Sequence, residues 1–458
     1  MASQISGDKP HIQQRYTRED VTRLLGEQDI KFLRLCFTDI TGMNKNVEVP
    51  PSQFAKALDG QILFDGSSIA GFVRIEESDM LLVPDLNSFR IQPWDNDGRG
   101  KAARVICDVC NPDGSAFDGC PRRVLRKQLE EARELDSLLM AGPEAEFFLF
   151  QRGPNGELTT DTHDQAGYFD AAPIDEAEPC RREITNCLNF MGLDVEAAHH
   201  EVAPGQHEID FRYAEALTTA DNLTTFKQVV RRVAHDFGLH ATFMPKPIFG
   251  INGSGMHVHL SLFGLDGESN LFSDDSTEWG ISQKGLSFIG GVLEHARAIC
   301  AVTNPTVNSF KRLVPGYEAP THIAWSMRNR SPLVRIPERR GLGTRMELRM
   351  PDPSCNPYLA FGVTLAAGLD GIRRNVEPPA PVNKNIYTMS ARERSRLKIG
   401  HLPGDLSEAI TALEKDSVIK DALGDHIATQ FIQAKREEWH EYIAQVHDWE
   451  LEQYLGVL

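Results

Sequence analysis

Two glutamates lie two residues apart in GPEAEFFLF, residues 142–150, a strand-like stretch that is otherwise apolar. Side chains alternate between the two faces of a strand, so Glu144 and Glu146 should point the same way. Two like charges on one face repel each other, and burying an unpaired carboxylate costs several kcal/mol. The stretch is therefore either exposed at that end or faces something positive.

Three further segments, distant along the chain, present ligand-type side chains at strand or turn spacing. They are GSGMHVHLSLF with His257 and His259, RMELRM with Glu347 and Arg349, and HHEVAPGQHEIDF with Glu201 and Glu208. Buried glutamates need partners, and a divalent cation can serve several of them. Five carboxylates and one imidazole favour Mg²⁺ or Mn²⁺ over zinc or iron. This donor set predicts two metal sites, which suit phosphoryl transfer or hydrolysis.

Positive charge is concentrated in one part of the chain. Residues 311–349 carry one Lys and eight Arg against three Glu, a net charge of +6, although the whole chain has a formal net charge of −17. Arginine binds carboxylates and phosphates through paired donors. Either these arginines pair with acidic residues elsewhere, or they hold an anionic substrate and nucleotide phosphates. Glu318, in a loop flanked by Gly and Pro, is a candidate lid residue.

Composition limits the classes of protein that fit. The 458 residues, 41% apolar and 25% charged, are typical of a globular chain with at least two domains. The acidic net charge argues against nucleic-acid binding. The chain has no apolar run near the length of a membrane span, and its first residues lack the apolar region of a signal peptide, so a cytoplasmic enzyme is expected. Eight scattered cysteines do not predict a disulfide framework.

The element pattern predicts an α+β fold in two parts. After an arm over residues 1–16, short strands and single helices predict a small α+β domain over residues 17–120, which starts with a helix capped by Thr17. An amphipathic helix with Pro121 at its start opens a large α+β domain over residues 121–458, with a helical C-terminal segment.

Taken together, these motifs resemble the bacterial and archaeal type I glutamine synthetases. The resemblance extends from about residue 17 to about residue 454 and includes FDGSSIAGFVRIEESDMLL, KPIFGINGSGMHVHLS, NRSPLVRIP and RMELRMPDPSCNPYLA. It implies a β-grasp-like N-terminal domain and a catalytic domain with a curved antiparallel sheet. It also implies ATP-dependent ligation of ammonia to L-glutamate through γ-glutamyl phosphate.

The resemblance assigns roles residue by residue. One metal ion would be held by Glu146, Glu201 and Glu208, and the other, at the ATP phosphates, by Glu144, His257 and Glu347. Glutamate would be bound by Asn252, Gly253, Arg312, Glu318 and Arg349. The nucleotide would be bound by His259, Ser261, Arg335 and Arg345, with Arg330 and Arg335 acting at the phosphates. Asp65 would remove a proton from ammonium, and Glu318 would close over the intermediate.

The resemblance also implies an assembly and its regulation. The assembly is a homododecamer of two hexameric rings in which Asp65 serves the neighbouring subunit. FVRIEESD and NIYTM resemble the feedback-inhibited alpha branch, in which the residue matching Arg74 mediates inhibition by glutamine. Tyr387 lies where the other branch is adenylylated, but NIYTMSARER departs from that context, so no adenylylation is expected. Small regulatory proteins are candidate partners.

Alternatives to a glutamine synthetase stay open. A γ-glutamyl ligase for another amine would be expected to alter Asp65 or Glu318, since both serve the ammonium site. A catalytically inactive structural homologue would be expected to lose metal-ligand positions, and all six are present. A metal-dependent phosphohydrolase would explain the carboxylates but neither Glu318 nor the arginines.

Overall fold

The computed structural model describes residues 15–72, 79–94, 98, 100–327 and 329–458. Arg74, the predicted regulatory residue, lies outside the described residues, as does most of the predicted N-terminal arm. The helices of the N-terminal part are α1 (Arg18–Glu27) and α2 (Phe54–Leu58). Its strands are β1 (Ile30–Thr38), β2 (Asn44–Val49), β3 (Ile62–Asp65), β4 (Asp79–Ile91) and β5 (Lys101–Cys110).

The N-terminal strands form one mixed sheet in the order β2-β1-β5-β4-β3. Strands β1 and β5 run parallel, and the other pairs are antiparallel. Thr17 caps α1 as predicted, because its side chain accepts from the Asp20 amide while the Asp20 carboxylate accepts from the Thr17 amide. The predicted β-grasp-like α+β domain is confirmed.

The remainder of the chain alternates strands and helices. Its strands are β6 (Leu138–Arg152), β7 (Leu158–Thr162), β8 (Val195–His200), β9 (Gln206–Phe211), β10 (Ala214–Glu215), β11 (Leu239–Thr242), β12 (Met256–Phe263), β13 (His322–Ile323), β14 (Trp325–Ser326), β15 (Val334–Arg335), β16 (Met346–Leu348) and β17 (Gly400–His401). Its helices are α3 (Pro121–Arg133), α4 (Glu178–Phe190), α5 (Ala216–Asp236), α6 (Gln283–Glu294), α7 (Ala296–Thr303), α8 (Ser309–Arg312), α9 (Pro357–Arg374), α10 (Ala391–Arg396), α11 (Leu406–Lys415), α12 (Ser417–Leu423), α13 (Asp425–Ile443) and α14 (Asp448–Tyr454).

The large sheet is built around the long strand β6. Its main order is β14-β15-β16-β12-β6-β9-β8, and β7, β10 and β11 also pair with β6. The strand pairs are antiparallel except β14 with β15. The predicted antiparallel sheet is therefore confirmed apart from that parallel pair.

Side chains alternate along β6, so that residues of the main core lie on one face of the strand and the two glutamates on the other. Phe147 and Leu149 point into the main core, where the Phe147 ring packs 6.0 Å from that of Phe226 on α5. On the glutamate face, Phe148 and Phe150 stack at 5.5 Å and form a small cluster with Ala203. Apolar packing on both faces therefore fixes the strand that carries Glu144 and Glu146.

The helices and the cysteines bear on two expectations from the sequence, that the chain has no membrane span and no disulfide framework. Among the residues that the structure describes, no single helix is long and apolar enough to span a membrane. The bent pair α6 and α7, with 73° between them, meets the criteria of length and composition together. All eight cysteines are free thiols.

A buried guanidinium joins the N-terminal sheet to the large domain. Arg122, at the start of α3, is 3% exposed. It lies 2.7 Å from the Asp85 carboxylate on β4, 2.9 Å from that of Asp108 on β5 and 2.8 Å from that of Asp221 on α5. The Tyr358 hydroxyl on α9 donates to Asp221 at 2.8 Å. One cation therefore bridges carboxylates from both domains.

We expect Arg122→Ala to lower the free energy of unfolding by about 3–5 kcal/mol, because it leaves the buried Asp221 carboxylate without its guanidinium partner. The matched control is Arg126→Ala. Arg126 also contacts Asp85 and Asp108 but is partly exposed, so its loss should cost only about 0–1 kcal/mol. Urea unfolding followed by circular dichroism measures both. Equal shifts for the two variants would contradict a structural role for the buried cluster.

Candidate active site

The two glutamates of β6 face acidic and imidazole groups on the neighbouring strands. In the β6–β9 register, Glu144 lies opposite Asp210 and Glu146 opposite Glu208. On the other side of β6, Glu144 lies opposite His257 of β12. The sheet therefore gathers residues that are more than a hundred positions apart in sequence.

Glu144, His257 and Glu347 form the first group of candidate metal ligands, here called the Glu347 cluster. One ligand atom from each lies within 4.8 Å of the others. The His257 Nδ1 is 3.5 Å from a Glu144 oxygen and 3.8 Å from a Glu347 oxygen. Glu347 is 1% exposed and pairs with the guanidinium groups of Arg335 and Arg349. This group matches the ligand set predicted at the nucleotide phosphates.

The charges of the Glu347 cluster are largely balanced. Burial disfavours ionisation of Glu144, but hydrogen bonds from His257 and His259 hold its pKa well below the usual range. Burial also opposes ionisation of Glu347, yet His257 and Arg349 lower its pKa. Burial and the Arg349 guanidinium lower the pKa of His257 to about 4. At neutral pH this group therefore consists of two carboxylates and a neutral imidazole, all able to bind a cation.

The second group of candidate ligands, here called the Glu208 cluster, consists of His199, Glu201 and Glu208. The His199 Nε2 is 3.2 Å from a Glu208 oxygen, and its Nδ1 is 3.6 Å from a Glu201 oxygen. His199 was missing from the predicted ligand set. Its signal is present in HHEV, since His199 precedes Glu201 by two residues, the spacing that places two side chains on the same face of an extended segment.

Glu146, predicted to bind with Glu201 and Glu208, lies beside this cluster and has hydrogen-bond donors of its own. One of its oxygens accepts from the Gln206 side-chain amide at 2.8 Å and from the Gly255 backbone amide at 2.9 Å. The same Gln206 amide donates to the Gly253 carbonyl at 3.2 Å. Gln206 therefore links Glu146 to the loop that contains Gly253, and spacing alone gave no indication of this role.

Negative charge accumulates around the Glu208 cluster. Burial raises the pKa of Glu146, Glu201, Glu208 and Asp210. Repulsion among neighbouring carboxylates raises these pKa values further, with Asp210 and Glu146 acting most strongly on Glu208 after burial. Such a cluster attracts cations, since each added positive charge relieves both effects.

Both clusters border one cavity of about 580 Å³. Among the residues that the structure describes, the arginines on its wall are Arg330, Arg335 and Arg349. Glu318 also lines it and has a φ of 61°, in the left-handed region that non-glycine residues rarely adopt. Asp210 and Tyr168 complete part of the wall and were not predicted as site residues. The cavity thus combines carboxylates for cations with guanidinium groups for anions.

A second cavity of about 290 Å³ adjoins the first, and both are lined by Glu144 and Asp210. Three predicted nucleotide residues, His259, Ser261 and Arg345, line it. The Arg345 Nε donates to His259 Nδ1 at 3.1 Å, so His259 Nε2 carries the hydrogen that it donates to Glu144 at 2.7 Å. This chain of hydrogen bonds runs from the smaller cavity to the Glu347 cluster.

Four predicted residues are not among the described residues that line either cavity. Asp65 is exposed at the end of β3 and accepts from the Ser67 amide at 2.8 Å. Asn252 and Gly253 lie in the loop before β12, next to the Gly255 amide that holds Glu146. Arg312 is buried behind the wall, and its guanidinium donates to the carbonyls of Met350, Pro351 and Arg349.

The chain matches two domain families along almost its whole length. The glutamine synthetase β-grasp domain matches residues 29–112, and the glutamine synthetase catalytic domain matches residues 118–454. The glutamine synthetase of Thermus thermophilus is 62% identical over 444 residues, covering 96% of this chain and 99% of that protein. That of Clostridium saccharobutylicum is 55% identical over 442 residues, with 96% and 99% covered.

Solved structures agree with these matches. A GmaS/ADP complex is similar, with a TM-score of 0.86 and 34% identity over 95% of this chain and 99% of that chain. A cryo-EM structure of the Plasmodium falciparum glutamine synthetase has a TM-score of 0.85 over 96% and 99% of the two chains, and its 24% identity shows likeness of fold alone. Because both domains match in order and the bacterial relatives match over nearly their full length, the chain belongs to the glutamine synthetase family.

Proposed function

We propose that this protein is an ATP-dependent glutamate–ammonia ligase that forms L-glutamine, ADP and phosphate through γ-glutamyl phosphate. The observation that carries this proposal is the junction of the two cavities at Glu144 and Asp210. A nucleotide in the smaller cavity would direct its phosphates toward the arginines and carboxylates of the larger one. Charge neutralisation and positioning of this kind are the main requirements of phosphoryl transfer.

The two clusters fit divalent cations, either Mg²⁺ or Mn²⁺. Their donors are carboxylate oxygens and imidazole nitrogens, and the raised pKa values of Glu146, Glu201 and Glu208 reflect buried, closely spaced carboxyl groups whose ionisation a bound cation would favour. Glu144, His257 and Glu347 would hold one ion; Glu201, Glu208 and either Glu146 or His199 would hold another. Bound cations would supply electrostatic stabilisation of the charge on the transferred phosphoryl group.

The arginines of the larger cavity would orient the two anionic substrates. Arg330 and Arg335 line the wall, where their guanidinium groups can hold phosphate oxygens. Arg349 lines the same wall and can bind a carboxylate of L-glutamate. Arg312 donates to the Arg349 backbone carbonyl, so in this arrangement it positions the strand behind the glutamate site.

Ammonium would be bound between Glu318 and a neighbouring subunit. Glu318 lines the cavity in a loop suited to closing over the intermediate. Asp65 is exposed, and hydrogen bonds from Ser67 lower its pKa, which keeps a proton acceptor available. Because Asp65 lies away from the cavities of its own chain, its role in deprotonating ammonium requires a second copy. This supports active sites between subunits; the arrangement as a homododecamer of two hexameric rings rests on the sequence resemblance.

Regulation through glutamine is part of the proposal. Feedback inhibition through Arg74 rests on the sequence resemblance, as does the candidate role of small regulatory proteins. Tyr387 is half-buried, lines the larger cavity, and donates its hydroxyl to the Ala319 carbonyl next to Glu318. A hydroxyl engaged in this way supports the expectation that Tyr387 is not adenylylated.

We expect Mn²⁺ binding to release protons mainly from the Glu208 cluster. Burial and neighbouring carboxylates raise the pKa of Glu208 to about 11 and burial raises that of Glu201 to about 7, so this cluster holds protons at neutral pH that must leave before the carboxyl groups bind a cation. In the Glu347 cluster both carboxyl groups have lowered pKa values and the pKa of His257 is about 4, so little proton release is expected there. Affinity for cations at the Glu208 cluster should therefore increase as the pH rises through about 7, the pKa of Glu201, and above it.

Titration calorimetry in two buffers of different ionisation enthalpy measures these protons. Glu208→Gln should reduce proton release, whereas Glu347→Gln should weaken metal binding and leave the release from the other cluster intact. Equal proton release from the two clusters would contradict the proposed difference in protonation between them.

The reaction itself is tested with purified assembled protein, ATP, Mg²⁺ and L-glutamate, following phosphate release with ammonium or a panel of larger amines. We expect turnover with ammonium and suppression of it by added glutamine. Glu201→Gln should lower kcat at least tenfold because it removes a cation ligand, about the size of effect expected for a lost metal contact. Glu131→Gln, on the surface of α3, is the matched control and should retain activity.

Each other outcome points to a different alternative. Turnover only with a larger amine would replace the ammonium assignment of Asp65 and Glu318 with a different γ-glutamyl ligase. Absence of turnover with every amine, in assembled protein that still binds metal, would favour an inactive structural homologue. Turnover with ammonium that glutamine does not inhibit would keep the ligase and reject feedback inhibition.

A further inference from the structure

The turn that carries the Glu208 cluster is held from behind by a buried carboxylate. Asp164, 5% exposed, follows β7, and its Oδ1 accepts from the Gly205 backbone amide at 2.9 Å. The Gly205 carbonyl accepts from the Leu149 amide of β6 at 2.8 Å. Gly205 has a φ of +68°, and a Cβ there would lie 2.9 Å from the Leu149 carbonyl oxygen, so the turn needs glycine.

Two buried imidazoles converge on the same carboxylate. His200 places Nε2 3.3 Å from both Asp164 oxygens and Nδ1 2.7 Å from the Glu201 carbonyl oxygen. His163 places Nε2 2.9 Å from Asp164 Oδ2 and Nδ1 3.0 Å from the Leu149 carbonyl oxygen. Asp164 therefore connects β6, the end of β8 and the turn through side chains that are shielded from water.

The buried histidines and aspartates around Asp164 could also be interpreted as a metal site. Their hydrogen bonds argue against that interpretation. The two candidate groups are His163 with Asp164 and His207, and Asp175 with His200 and His207, so both require His207. The Arg181 guanidinium, which can only donate, lies 3.0 Å from His207 Nδ1. The hydrogen of the neutral His207 ring is then on Nε2, which leaves neither ring nitrogen free for a metal.

We infer that Asp164 is a positioning residue for the Glu208 cluster. By holding the Gly205 amide and, through His200, the Glu201 carbonyl, it fixes the turn that begins at Glu201 and leads into β9, the strand that carries Glu208. The inference rests on the proposed function, in which those two carboxylates bind a divalent cation. The ligands of the Glu347 cluster lie on β6, β12 and β16 and make no hydrogen bond or ion pair with Asp164 in the described part of the chain.

The test is Asp164→Asn in the assembled protein. Asparagine keeps the size of the side chain and one acceptor for Gly205, but its amide group cannot accept from the imidazoles and carries no charge. We expect Mn²⁺ binding at the Glu208 cluster to weaken about tenfold, as for other residues that orient metal ligands, while binding at the Glu347 cluster is unchanged. Mn²⁺ titration followed by electron paramagnetic resonance separates the two affinities.

Reference variants identify each class of bound Mn²⁺. Glu201→Gln should remove the class that Asp164→Asn weakens, and His257→Asn should remove the other. Asp221→Asn is the matched control, because it also neutralises a buried aspartate, 4% exposed, whose carboxylate contacts Arg122 and Tyr358 and not the turn. It should lower thermal stability without changing either Mn²⁺ affinity, which separates positioning from a general loss of stability.

Several results would overturn the inference. Asp164→Asn protein with unchanged Mn²⁺ affinities, or with both affinities weakened equally, would reject a selective positioning role. Metal binding that persists in a Glu201→Gln, His257→Asn double variant and is lost with His207→Gln would establish the buried metal site instead. If wild-type protein shows no Mn²⁺ class sensitive to Glu201→Gln, the proposed function fails at this site, a result distinct from the others.

Should Asp164→Asn fail to fold, His200→Asn provides the second variant. Its amide can still donate to the Glu201 carbonyl, but the shorter side chain does not reach Asp164. The same selective loss of Mn²⁺ affinity is expected, and unchanged affinity would overturn the inference.

Discussion

Repulsion among carboxylates held in one partly closed cavity is the constraint on which the site depends. Glu144 and Glu146 come from β6, Glu208 and Asp210 from the neighbouring strand β9, and Glu201 from the turn between β8 and β9. Water screens such charges poorly once they are buried, and the pKa values of four of the five rise. The structure balances charge unevenly: Arg335 and Arg349 compensate Glu347, whereas the Glu208 cluster has a single imidazole among carboxylates.

That unfavourable charge is tolerated because the strands carrying it are fixed by packing. Strand β6 has core residues such as Phe147 on one face and the glutamates on the other. A shift of one residue in its register would exchange these faces and bury carboxylates in the main core. The hydrophobic effect therefore determines the register, and the register determines which charges meet. Hydrogen bonds from Gln206 and Gly255 then orient Glu146 within that frame.

Buried charge also contributes to the contacts between the two domains. Arg122 links carboxylates of β4, β5 and α5, so the N-terminal sheet is held against the large domain by charge as well as by apolar contacts. The sheet presents Asp65 at an exposed strand end, away from the cavities of its own chain. In the proposed assembly, this separation makes the active site a property of two subunits.

The sequence by itself determined which side chains share a face and what chemistry they can perform. Three such features are the spacing of Glu144 with Glu146, the cap at Thr17 and the alternation along β6. Each depends only on neighbouring residues in the chain, and the backbone geometry of a strand or a helix start is the same wherever the segment lies in the fold. Tertiary structure decided which strands adjoin and which partner each polar side chain contacts. It placed His199 in the Glu208 cluster, turned Arg312 toward backbone carbonyls, and brought Asp164 behind the turn. These outcomes depend on register and packing between distant segments, and periodicity within a segment carries no information about them.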